Sequence, residues 1–215
     1  MDSTRRGVIS DWGGVLTPPL IDGIRAWLRA DRIDIEHYQE VMRPYFDNSL
    51  NGSNPVHALE RGEIPVAQFE RDLAGLLRST HGGPIVAEGL IHRMFANFEP
   101  VHGMYELLRR SRRDGAATAL LSNSWGNGYP HEHFETTFDT VVISGEVGMR
   151  KPEERIYLHT CEQMGLAPED CVFIDDLEHN VRTAERLGMT GILHTDTEST
   201  QRALERFLAS AVAHS

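Results

Sequence analysis

Five short apolar runs, each ending at a polar residue, are the feature that most restricts how this chain can fold. These runs are Gly7–Asp11, Ala117–Ser122, Thr140–Ser144, Cys171–Asp175 and Gly191–His194. Patterns with helical periodicity separate most of them, and such alternation is typical of a mostly parallel sheet with helices on both faces. We therefore predict an α/β fold whose ligand site lies at the carboxyl ends of the strands.

The stretch 17–96 departs from this alternation. It contains no convincing strand, and its apolar residues fit three helix faces, around Ile24, Met42 and Phe69. An insertion directly after the first strand would lie over the carboxyl edge of the sheet and enclose a ligand there. We predict a core made of 1–16 and 97–215, with 17–96 as an inserted helical cap.

Charge and cysteine content limit the partners of the protein. Among the 215 residues, 21 are Lys or Arg and 32 are Asp or Glu, which gives a net charge of −11. Phosphate backbones and anionic membranes bind basic surfaces, and no run approaches the ~18 apolar residues of a membrane span. Cys161 and Cys171 have no zinc-site spacing. We expect a cytoplasmic monomer or homodimer without nucleic-acid or membrane partners.

Polar groups suited to phosphate chemistry follow three of the predicted strands. Asp11 precedes two glycines, which would place a carboxylate nucleophile beside unobstructed backbone amides. Ser122 and Asn123 can hold a phosphate oxygen, and Lys151 can neutralise a phosphoryl group. Each of these residues taken alone is more typical of a turn, a helix cap or a solvated lysine.

The pair Asp175 and Asp176 is harder to explain as solvated acids, because the apolar run Val172–Ile174 leads directly from the core to it. Adjacent carboxylates repel each other unless a cation or a proton lies between them. Oxygen ligands of this kind suit Mg²⁺, which usually takes one or two carboxylates together with substrate phosphate. Asn180 follows Asp176 by four residues.

In this order, the motifs resemble those of the haloacid dehalogenase-like hydrolases. Leu121–Ser124 is similar to the second motif of that family, Gly148–Pro152 to the third, and Ile174–Asp176 with Asn180 to the fourth. Leu59–Ile64 is similar to the cap of the branch whose cap follows the first motif. The resemblance implies a Rossmann-like core with an inserted α-helical cap. It extends to Asp-x-Gly-type sugar-phosphate phosphatases and to the phosphatase-type domain of soluble epoxide hydrolases.

The resemblance also implies an activity and a set of roles. The chain would be a Mg²⁺-dependent phosphatase that hydrolyses a small phosphorylated metabolite through an aspartyl-phosphate on Asp11. The phosphoryl oxygens would be held by Ser122, Asn123 and Lys151. The Mg²⁺ ligands would be Asp11, the Gly13 carbonyl and Asp176. Asp175 and Asn180 would support the site from behind these ligands.

Gly13 departs from the family pattern, because most family phosphatases carry there an Asp that protonates the leaving group. General acid–base catalysis contributes ~10²–10⁴-fold to rates. Its loss should therefore slow the hydrolysis of esters with poor leaving groups more than that of sugar 1-phosphates or acyl phosphates. The loop His131–His133 could supply a substitute, although such histidines more often begin a helix. The histidines His57, His81, His92 and His102 have no assigned role. We expect Trp12 to pack against the sheet.

Two other functions remain open at this stage. A metal-independent 2-haloacid dehalogenase also lacks an acid at the position of Gly13, but the acid pair Asp175 and Asp176 argues against it. A catalytically impaired binding or regulatory protein could retain the ligand pocket without turnover. A phosphomutase is less attractive, because reversible transfer normally needs the acid that Gly13 replaces.

Overall fold

The structure is a computed structural model and describes residues 5–46, 54–96, 98–126 and 128–210. Five strands form one sheet in the order β3-β2-β1-β4-β5, and every neighbouring pair is parallel. The strands are β1 Gly7–Ser10, β2 Ala117–Ser122, β3 Thr140–Ile143, β4 Cys171–Asp175 and β5 Thr190–Leu193. The predicted α/β class is therefore confirmed.

The predicted bounds of three strands were wrong by one residue. Asp11 and Ser144 follow their strands, and β5 both begins and ends one residue earlier than predicted. Asp11 lies outside β1 because the chain turns directly after it, where the Trp12 carbonyl oxygen accepts from the Leu16 N–H at 2.8 Å. The Asp11 N–H still donates to the Ile174 carbonyl oxygen at 2.9 Å. Ser144 instead begins a short helix.

Helices precede or follow every strand in the described part of the chain. They are α1 Leu20–Ala30, α2 Ile35–Phe46, α3 Pro55–Glu60, α4 Val66–Leu76, α5 Leu90–Phe95, α6 His102–Arg113, α7 His131–Thr137, α8 Ser144–Val147, α9 Glu154–Met164, α10 Glu178–Arg186 and α11 Thr197–Ser210. A 3₁₀ turn covers Pro168–Asp170. None of the described helices is long and apolar enough to cross a bilayer.

Two apolar layers cover the two faces of the sheet, because successive strand residues point to opposite sides. Val8 and Val172 face the layer that contains Leu108 of α6 and Leu204 of α11. The opposite layer packs Ile9 and Phe173 against residues of α9 and α10, including Ile156, Tyr157, Cys161 and Ala184. All four strand residues named here are fully buried. The sheet edge that bears the polar residues is thereby held rigidly between the two layers.

Helices α1–α5 have an apolar cluster of their own. Its buried members all fall between Trp27 and Met94, and include Phe69 and Leu90. In the described part of 17–96, the only β pairing is a single bridge between Ile33 and Ser79. The prediction of a strand-free helical segment agrees with this arrangement.

Candidate active site

The site lies at the point in the sheet where the order of strand addition reverses. The chain passes from β1 to β2 and β3 on one side, and then continues with β4 and β5 on the other side of β1. The carboxyl ends of β1 and β4 therefore flank the crevice in which open α/β sheets bind ligands. Asp11 follows β1, Asp175 ends β4, and Asp176 is next.

Lys151 joins the two strand ends from a buried position. Its Nζ lies 2.7 Å from Asp11 Oδ1 and 2.7 Å from Asp175 Oδ2, and its side chain is 2% exposed. Burial opposes its charge, but the carboxylates of Asp11 and Asp175 outweigh burial and raise the pKa of Lys151. The alternative of a solvated lysine was therefore wrong.

Asn123 fixes the backbone at Lys151. Its side chain donates to the Lys151 carbonyl oxygen at 3.0 Å and accepts from the Lys151 N–H at 2.8 Å. The Asn123 amide, which was predicted to help hold phosphate, thus bonds to the Lys151 backbone and positions that residue.

Asp175 is completely buried and has partners on both carboxylate oxygens. Besides Lys151, it accepts from the Leu177 N–H at 2.8 Å, and Asn180 Nδ2 lies 3.1 Å from each oxygen. The structure thus places Asn180 against Asp175. With these donors around it, Asp175 acts as a fixed anchor for the lysine.

The three carboxylates form a candidate metal site. One oxygen from each of Asp11, Asp175 and Asp176 lies within 4.8 Å of the others. Burial raises the pKa of Asp11 to about 8, because its effect exceeds the opposing effect of the Lys151 charge. Burial, and to a smaller extent the neighbouring Asp175 charge, raises the pKa of Asp176 to about 6. One lysine therefore does not balance the negative charge of this cluster, and an oxygen-ligated divalent cation such as Mg²⁺ fits the donor set.

The two glycines after Trp12 differ in what the backbone requires. Gly14 has φ of 77°, and a Cβ there would stand 2.1 Å from Asp176 Oδ2, so only glycine leaves room for that carboxylate. Gly13 has no such constraint, because its Cβ would meet only the Leu20 side chain, at 3.3 Å. A side chain at position 13 would need only a small shift of flexible Leu20 atoms.

Trp12 and Asp11 are linked through the backbone. The Trp12 N–H donates to Asp11 Oδ1 at 2.7 Å, the same oxygen that meets Lys151. Oδ2 of Asp11 accepts no hydrogen bond from the described residues. The Trp12 ring is 5% exposed and packs on the rings of Phe95, Phe98 and Tyr129, as expected for a packing role.

Ser122 ends β2 beside these groups and is 1% exposed. Its Oγ lies 3.0 Å from the hydroxyl oxygen of Tyr129. Sequence reasoning missed Tyr129, because an isolated aromatic residue in a loop has no periodicity that would mark it. The neighbouring His131 and His133 instead begin α7, and the His133 ring lies 5.2 Å from that of Tyr105.

A second group that the sequence did not reveal joins α3 to the loops of the sheet. Glu60 is 7% exposed; its carboxylate pairs with Arg150, next to Lys151, and accepts from Trp125 Nε1 at 3.1 Å. The Glu60 carbonyl oxygen accepts from Ser144 Oγ at 2.6 Å. One residue of the helical segment thus contacts the loop after β2, the first residue of α8 and the loop that carries Lys151.

The sequence model of the haloacid dehalogenase-like hydrolases matches residues 6–188. This chain belongs to that family. Rat bifunctional epoxide hydrolase 2 is 31% identical over 217 residues, which cover 91% of this chain and 37% of the rat protein. Sesquiterpene phosphatase astK of Aspergillus oryzae is 31% identical over 110 residues, which cover 49% of this chain and 56% of the fungal protein. The chain thus spans little more than a third of one relative and about half of the other.

A solved structure agrees with the observed architecture. The magnesium complex of a haloacid dehalogenase family enzyme from Bacteroides thetaiotaomicron is 25% identical and superposes with a TM-score of 0.59. The match covers 89% of this chain and 93% of that enzyme. The resemblance inferred from the sequence motifs is confirmed.

Replacing Lys151 with Met should lower the free energy of unfolding by about 3 kcal/mol, because it leaves two buried carboxylates without their cation. Urea denaturation in metal-free buffer measures this loss. Arg182→Met is the matched control: Arg182 pairs with Glu178 at the surface, where its side chain is 65% exposed. That control should change stability by no more than about 0.5 kcal/mol. Equal losses in the two variants would contradict the assigned role of Lys151.

Proposed function

We propose that this protein is a Mg²⁺-dependent phosphatase that hydrolyses a small phosphorylated metabolite through an aspartyl-phosphate on Asp11. The observation that carries the proposal is the buried arrangement of Asp11, Lys151 and Asp175 with Asp176 beside them. The fungal relative named as a phosphatase and the magnesium complex of the Bacteroides enzyme add support.

Asp11 is suited to act as the nucleophile. Lys151 and the Trp12 N–H both hold its Oδ1, which fixes the carboxylate and leaves Oδ2 for attack on phosphorus. Attack forms an acyl-phosphate bond and breaks the bond between phosphorus and the leaving oxygen. Water then hydrolyses the acyl phosphate and restores Asp11. Two easier steps replace one difficult step.

Charge balance decides whether that attack can occur. A carboxylate and a phosphate dianion repel each other, and the positive charge of Lys151 offsets part of this repulsion. Mg²⁺, held by Asp11 and Asp176 with the Gly13 carbonyl, would neutralise the charge that remains on the phosphoryl oxygens. Ser122 would donate its hydroxyl to one of those oxygens. Asp175 and Asn180 would keep Lys151 in place.

Gly13 narrows the proposed substrates to esters that need little help from an acid. Gly13 has no side chain that could protonate a leaving group, and the nearest side chain to that position is the apolar Leu20. The leaving groups of acyl phosphates and sugar 1-phosphates depart more readily than those of simple alkyl phosphates. We infer a preference for substrates of the first kind.

The helices of 17–96 would form the cap over this site, with 1–16 and 97–215 as the core. Their separate apolar cluster supports this division. The contact of Glu60 with Arg150, the residue before Lys151, supports a position of the cap beside the site. The leaving group would then lie between cap and core.

A binding protein without turnover is the second candidate, and the absence of an acid at Gly13 favours it. The dehalogenase alternative has no comparable support, since Asp175 and Asp176 add negative charge that a metal-independent reaction would not need. Phosphate binding without phosphate release would identify the binding protein. Halide release from 2-chloropropionate without metal would identify the dehalogenase.

The proposal predicts Mg²⁺-dependent release of phosphate from at least one member of a metabolite panel, and no release in EDTA. Asp11→Asn should lower this activity by about 10³-fold or more, because the nucleophile is lost. Asp114→Asn, which changes a carboxylate that is 69% exposed and pairs with Arg110 at the surface, should retain full activity. Release by wild type that persists unchanged in Asp11→Asn would remove Asp11 from its proposed role.

Gly13→Asp should raise kcat/KM for alkyl phosphates by about 10²-fold, because it supplies the missing general acid. It should change kcat/KM for acetyl phosphate by no more than a few-fold, since that leaving group departs without protonation. Gly13→Ala is the matched control, because it adds a Cβ without a carboxyl group and should show no gain. Equal effects of the two variants on alkyl phosphates would argue that leaving-group protonation does not limit the reaction.

A further inference from the structure

Tyr129 brings a phenol into contact with Ser122 at the end of β2. The two hydroxyl oxygens are 3.0 Å apart, and Ser122 is 1% exposed, so bulk water competes little for this hydrogen bond. None of the motifs of the chain includes Tyr129. Its position beside a serine assigned to phosphate binding therefore needs its own explanation.

The ring of Tyr129 also contacts Trp12, the residue that follows Asp11. It lies edge-on to the Trp12 ring with centroids 5.0 Å apart, and the Trp12 N–H donates to Asp11. On its other side it packs against Phe134 of α7 at 5.7 Å. Tyr129 thus lies between the first turn of α7 and both Ser122 and Trp12.

A short-range hydrogen bond fixes the backbone between Tyr129 and α7. The Tyr129 carbonyl oxygen accepts from the His131 N–H at 2.9 Å, directly before α7. This turn fixes the Tyr129 backbone, and the contacts of its ring with Trp12 and Phe134 fix the orientation of the phenol.

Hydrogen-bond counting explains what such a phenol can do. A serine hydroxyl has one proton to donate and two lone pairs to accept with, and a tyrosine hydroxyl carries its own proton at neutral pH. If Tyr129 donates to Ser122 Oγ, the Ser122 proton is free to point elsewhere. If Ser122 instead donated to Tyr129, its proton would be unavailable to a phosphoryl oxygen.

We propose that Tyr129 is a positioning residue that donates to Ser122 and thereby directs the Ser122 proton towards the phosphoryl group of the substrate. This inference rests on the proposed phosphatase function and adds a residue to it. Tyr129 itself makes no bond to the substrate in this scheme. It acts through Ser122, and its ring also packs against the Trp12 ring.

A double-mutant cycle tests this coupling. Tyr129→Phe keeps the ring and its contacts with Trp12 and Phe134 and removes only the hydroxyl. In an otherwise unchanged chain it should lower kcat/KM for the best substrate about five-fold, the size expected for one hydrogen bond. The inhibition constant of inorganic phosphate should rise by a similar factor, because phosphate would use the same serine.

In a Ser122→Ala background, Tyr129→Phe should cause no further loss in kcat/KM or in phosphate inhibition. Tyr38→Phe is the matched control, since Tyr38 is a buried tyrosine, 7% exposed, that packs on Trp27 in the helical segment. It should leave both constants unchanged. Thermal unfolding of every variant checks that the fold is retained.

The outcomes separate this inference from the function on which it rests. Phosphate release by wild type, with a Tyr129→Phe loss that disappears in the Ser122→Ala background, supports the positioning role. Wild-type turnover with no effect of Tyr129→Phe, or with the same loss in both backgrounds, overturns the role of Tyr129 alone. A wild type that releases no phosphate from any substrate overturns the phosphatase function and this inference together.

Discussion

The ion pair that Lys151 forms with both Asp11 and Asp175 is the interaction on which the rest of the site depends. One buried ammonium lies 2.7 Å from each of two carboxylates, that of Asp11 directly after β1 and that of Asp175 at the end of the neighbouring β4. A buried charge is stable only when it is paired and hydrogen-bonded. The contacts of Asn123 with the Lys151 backbone and of Asn180 with Asp175 therefore exist to keep this pair in one geometry.

Sheet topology makes the pair possible, and the excess charge gives it a chemical use. Because β1 and β4 are adjacent and parallel, Asp11 and Asp175 meet at one edge although they are far apart in sequence. A single lysine cannot neutralise three clustered carboxylates. The same excess that destabilises the site without a cation makes it suitable for one, and Gly14 leaves the room that Asp176 requires.

Much of this could be predicted from the sequence, and the reasons for the exceptions are physical. The strands were predictable because buried parallel strands are short apolar runs, and polar residues such as Asp11, Ser122 and Asp175 mark their ends. Their assembly at one edge followed from strand alternation. The contacts of Tyr129 with Ser122 and of Glu60 with Arg150 could not be predicted, because they join loops and helices whose relative placement depends on packing. The burial of Lys151 was missed for the same reason.

Trapping the covalent intermediate would test the central claim most directly. Wild-type protein is mixed with Mg²⁺ and a substrate that it hydrolyses, and the mixture is quenched in acid. Reduction with borohydride then converts an aspartyl-phosphate to homoserine. Peptide mass spectrometry then locates the modified residue. The account predicts homoserine at position 11, and none in the sample without substrate. Modification at Asp175 or Asp176 instead, or steady turnover without modification at Asp11, would contradict it.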